Sequence, residues 1–69
     1  MKYPFVTIKK IDGEWWYHGA DKDLHTASGT LFHMTKSHKT LEDARIVEVK
    51  DQDQLERLRR TVNNLPSSL

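Results

Sequence analysis

The chain contains no cysteine, which excludes disulfide staples and every thiolate metal site from the outset. It has only three glycines and two prolines, so few positions favour left-handed backbone or force an element to break, and each of them is a landmark. Long apolar runs are missing as well. No segment approaches the roughly 18 apolar residues of a membrane span, and Met1 to Ile8 lacks the apolar core of a secretory leader, so a cytoplasmic location without a membrane partner is expected. Neither sign of charge dominates. The net charge is +1, with six lysines against four acids over residues 1–40 and five basic against six acidic residues over 41–69. No block of like charge therefore marks a polyanion-binding segment.

What remains is a chain of 69 residues, 36% apolar and 30% charged, with two tryptophans. That composition belongs to a folded domain with a well-solvated surface rather than to a disordered segment. The length allows one domain, read as residues 1–65 followed by a frayed tail over 66–69. Such a short chain buries a small share of its surface, and with disulfides excluded, self-association becomes an expected source of stability.

The clearest local signal is Asp12-Gly13, which supplies the positive φ of a tight hairpin turn between a β-branched stretch and the aromatic run Trp15-Trp16-Tyr17. Strand one is predicted over 3–11, with Pro4 near its start, a position best tolerated at a sheet edge. Strand two is predicted over 14–18. A two-residue loop sets Lys10 opposite Trp15, Ile8 opposite Tyr17 and Thr7 opposite His18. A three-residue loop with a bulge at Gly13 would instead align Ile8 with Trp16. The first register is preferred because it gathers Val6, Ile8, Trp15 and Tyr17 on one face. Thr7, Lys9, Trp16 and His18 then share the other. Since side chains alternate along a strand, the two adjacent tryptophans cannot both serve a one-sided core.

Residues 19–29 are dense in turn formers and read as a loop. Thr30 to Thr35 reads as a third strand with Phe32 and Met34 on one side, and residues 45–50 as a fourth, with a helical turn capped by Thr40 before it. The segment from Asp51 reads as an amphipathic helix, capped by Asp51 with Gln54 or by Asp53 with Glu56. Leu55, Leu58, Val62 and Leu65 form its apolar stripe and Pro66 ends it. The expected fold class is α+β: a small antiparallel sheet of three or four strands, opening with a β-hairpin, and one C-terminal helix packed on one face.

Four histidines, His18, His25, His33 and His38, lack metal-ligand spacing. Ser28, Ser37 and Thr35 near His33 and His38 carry no nucleophile elbow or oxyanion signature, and serines and threonines in turns usually bond the local backbone. The expectation is therefore a non-enzymatic chain without metal or cofactor. Trp16 beside Lys9 and His18 resembles the rigid aromatic anchors of protein interfaces. These three residues are the candidate site of an accessory or regulatory module that binds another protein or itself, as a homodimer.

The alternative is a nucleic-acid-binding module in which the hairpin, with Lys10, Lys36, His38 and Lys39, contacts phosphates and stacks on bases. The order of three strands and a helix is similar to that of the small sheet domains that bind arm-type DNA sites in phage and transposon integrases. This resemblance, in element order over about half the chain, implies DNA binding through the sheet. Acidic Asp12, Glu14, Asp21 and Asp23 lie close to the same lysines and lower the potential that phosphate binding needs.

Overall fold

The computed structural model describes residues 2–66; the last three residues of the expected frayed tail lie outside them. Along the chain the elements are β1 (Phe5–Ile11), β2 (Glu14–Asp21), α1 (Leu24–Ser37), β3 (Asp43–Glu48) and α2 (Gln52–Thr61). The three strands form one antiparallel sheet in the order β2-β1-β3. The architecture is thus α+β, with two helices rather than one.

The hairpin forms for the reason its turn residues imply. Asp12 and Gly13 both have positive φ, 53° and 79°, the pairing that a two-residue turn needs to match strand twist. Lys10 faces Trp15 and Ile8 faces Tyr17, which excludes the three-residue loop. One expected pair shifts. Thr7 lies opposite Gly19, not His18, because a bulge between Thr7 and Ile8 leaves His18 as the extra residue of β2. The strand then continues to Asp21, three residues past its expected end. β1 is the central strand, so Pro4 is not on an edge; it sits just before the strand, where its carbonyl accepts from Val49 N at 2.7 Å.

The largest departure from the sequence reading lies in residues 24–37, expected as loop and third strand and found as α1. Asp23 caps it, its carboxylate accepting from Thr26 N at 2.7 Å. The hydroxyls of Thr35 and Ser37 donate to carbonyls of the preceding turn, both at 2.8 Å, so polar side chains that compete with helix elsewhere are here absorbed by it. Met34 is buried while Phe32 stands exposed, opposite to the shared strand face expected of them. With residues 24–37 helical, the order of three strands and then a helix is gone, and the likeness to integrase arm-binding domains goes with it.

β3 starts and ends two residues earlier than expected, and residues 40–42 form no helix. α2 is capped by Asp51, whose carboxylate accepts from Gln54 N at 3.0 Å, while Gln54 Oε1 accepts from Lys50 N at 2.7 Å. It stops at Thr61, with Val62 as its cap. Pro66 therefore does not end it. The stripe nonetheless continues inward, since Val62 is buried and Leu65 packs against the same core.

That core fills the space between α2 and one sheet face: Val6, Ile8, Val49, Leu55, Leu58 and Val62, flanked by Trp15, Tyr17, Ala20 and Val47. These are the residues that alternation places together. The opposite face carries Thr7, Lys9, Trp16, His18, Ala44 and Ile46 by the same parity. α1 covers its centre with buried Ala27 and Met34, touching all three strands and leaving Thr7 fully buried. The sheet is two-sided.

Candidate functional site

Lys9, Trp16 and His18 do come together. Lys9 and Trp16 are cross-strand partners, and Lys9 Nζ lies 3.4 Å from His18 Nδ1. All three occupy the face under α1, away from the core that α2 builds. Trp16 is partly buried, and α2 packs on Trp15 and Tyr17 instead. The hollow beside Trp16, about 360 Å³, is lined by Lys9, Ile11, Asp12, Glu14, Tyr17 and Asn64. It mixes an aromatic wall with both signs of charge.

Alternation already places His18 on this face with Trp16, and the bulge leaves it without a partner on β1. It stands beside the C-terminal cap of α1, where the His18 and His38 rings meet edge to face with centroids 6.0 Å apart. Burial holds His18 below its ordinary value, the charges of Lys9 and His38 push the same way, and Asp21 opposes them. The lowered value favours the neutral ring, whose Nδ1 can accept from Lys9 Nζ at 3.4 Å. Asp21 itself accepts from Thr30 Oγ1 at 3.1 Å, tying the end of β2 to α1.

The alternative phosphate-contacting set is divided by the fold. Lys10 shares the α2 face with its partner Trp15, whereas Lys36 and His38 are at the end of α1 and Lys39 follows. The Lys36 ammonium lies 4.4 Å from the Phe32 ring centroid, one turn back along the helix. His38 is the member that joins Lys9 and His18. Among the described residues no group of three or more His, Cys, Asp or Glu side chains is placed to hold a metal ion, and no helix is long and apolar enough to cross a membrane.

Two surfaces escaped the sequence reading. One is the outer side of α1, where Leu24 and Phe32 are each 55% exposed. The other is a groove of about 320 Å³ between α2 and β3, with Ile8, Trp15, Val47 and Leu58 below Arg45 and Arg57. Its parity signal was present, since Arg45 and Val47 alternate like a strand, but which helix lay beside them was not. Comparison with protein-family models, curated proteins and solved structures finds no match to this chain.

Proposed function

We propose that the protein is a small non-enzymatic accessory module that works by binding another polypeptide, or a second copy of itself, through the margin of the sheet at Trp16, with Lys9 and His18 beside it. The observation that supports this reading is the position of Trp16: it lies on the side of the sheet away from α2, beside an open hollow, with a lysine directly across the strand pair. A large aromatic held by strand backbone loses little entropy when a partner orders it, which is why such residues dominate interface energetics. Size-exclusion chromatography with light scattering, repeated for Trp16→Ala, tests it. Loss of a dimer or of a partner complex on substitution is the expected result. A monomer whose Trp16 fluorescence is fully protected from a soluble quencher would overturn it, because the ring would then be core.

A nucleic-acid reading has one observation in its favour, the convergence of Lys9, His18 and His38 near Trp16. The two readings separate by salt. Phosphate contacts weaken steeply as ionic strength rises, whereas an aromatic-anchored protein contact does not.

A further inference from the structure

We propose a second docking surface, on the opposite side of the sheet: the outer edge of β3 together with the groove beside it, fitted to an extended acidic peptide that adds to the sheet as a fourth strand. Three independent features converge there. The two edges of the sheet are treated differently by the fold. The β2 edge is met at two positions by the segment after α2, with Asn63 N donating to Trp15 O at 3.4 Å and Tyr17 N donating to Asn64 Oδ1 at 3.4 Å. The β3 edge has no neighbouring strand among the described residues.

The groups on that edge can be assigned. Val49 N donates inward to Pro4 O, and in an antiparallel ladder inward and outward residues alternate, so Arg45 and Val47 bond toward β1 while Ala44, Ile46 and Glu48 turn their backbone outward. Ala44 N–H is already taken by Asp43 Oδ1 at 2.8 Å. Ile46 and Glu48 remain as the donors and acceptors a new strand would meet.

The side-chain chemistry next to this edge then selects the occupant. A strand added about 4.8 Å outside β3 directs alternate side chains toward the α2 side, at the mouth of the groove. The groove offers an apolar floor and two guanidinium groups. Arg45 lies over the Trp15 ring, 5.2 Å from its centroid, and Arg57 comes from the exposed side of α2. Among the described residues the carboxylate paired with Arg45 is Asp43 at 3.3 Å, an exposed pair of a kind that contributes little and exchanges readily. An apolar residue flanked at two-residue spacing by carboxylates matches this arrangement. Backbone pairing provides the affinity, and the arginines choose acidic over basic strands.

The test uses the whole chain and a capped peptide, Thr-Glu-Thr-Leu-Thr-Glu-Thr, followed by amide resonances and hydrogen exchange. Saturable shifts at Arg45, Val47 and Arg57 by about 1 mM peptide are expected, with at least about tenfold slower exchange at Ile46 N–H. Replacing both glutamates by lysine should weaken binding about tenfold or more, as should Arg57→Glu, and the lysine peptide should regain affinity for Arg57→Glu. Arg57 is exposed, so the variant retains the fold, and Arg45→Glu repeats the test from the strand side. The proposal is overturned if no shift saturates, if the lysine peptide binds equally well, or if shifts fall around Trp16. Protection of Ile46 in a dimer without peptide would overturn it in favour of a twin strand.

Discussion

Thr7 gives the sharpest test of the two-sided sheet. It lies at the centre of β1 with none of its surface exposed, and its hydroxyl oxygen has no hydrogen-bond partner among the described residues. A buried hydroxyl left without a partner costs about 1–3 kcal/mol. Thr7→Val replaces that hydroxyl by a methyl of nearly the same volume, and the two residues have similar strand preference, so backbone effects largely cancel. The expected gain is about 1 kcal/mol, taken from the low end because the methyl meets a surface shaped for oxygen. In a domain of this size that raises the melting temperature by roughly 4–8 °C. Thr7→Ser is the matched control: it keeps the hydroxyl, removes a buried methyl and should lose about 1 kcal/mol. Thermal and urea unfolding followed by circular dichroism measures both. A Thr7→Val variant that melts at or below the parent would refute the reasoning, because the hydroxyl would then be satisfied or the face uncovered.

Leu58, buried in the α2 core, should cost about 2–5 kcal/mol when cut to alanine, seen as a large drop in the urea midpoint. The lowered His18 pKa has a defined sign: the unfolded chain takes up the proton first, so its contribution is intact above the ordinary value of 6.5 and is lost as pH falls below it. Stability measured from pH 7.5 to pH 5 should fall more steeply in the parent than in His18→Gln; parallel curves would remove His18 as the cause. Gly13 has a φ of 79° and open space where a Cβ would go, so Gly13→Ala should lose about 1 kcal/mol through backbone strain alone, with no change in the unfolding m-value.

How much of this fold was legible depended on whether local chemistry and tertiary contact agreed. They agreed in the hairpin, where Asp12 and Gly13 fix the turn and alternation separates Trp15 from Trp16. They agreed again in α2, where Asp51 caps and Leu55, Leu58 and Val62 line one side. They conflicted in α1. Leu24, Ala27, Leu31 and Met34 recur at three, four and three, the spacing of the α2 stripe, so the helical signal was there. Gly29 and the threonines weaken it, Leu24 is not buried, and Leu31 to Met34 taken alone looks like a short strand. What decides the matter is the second sheet face, which needs a cover. His38 was legible only as a basic residue, because its contact with His18 depends on the path of α1.

The same two-sidedness bears on how the molecule can associate. With α2 on one face and α1 on the other, neither sheet face is free to stack on a twin, and the self-association expected of a short chain without disulfides loses its simplest route. The apolar stripe of α2 is used internally as well, so a coiled-coil dimer through Leu55, Leu58 and Val62 would have to dismantle the core. Three kinds of surface are left: the hollow at Trp16, the outer side of α1, and the β3 edge. The edge carries the marks of restraint that sheets use against unselective pairing, a carboxylate on the first outward amide and charges at Arg45 and Glu48 along a six-residue strand. These features disfavour a generic apolar strand and favour one with complementary charge. Binding by this fold is therefore expected at the margins of its sheet rather than on its faces, with selectivity set by a few charged residues around one indole on each side.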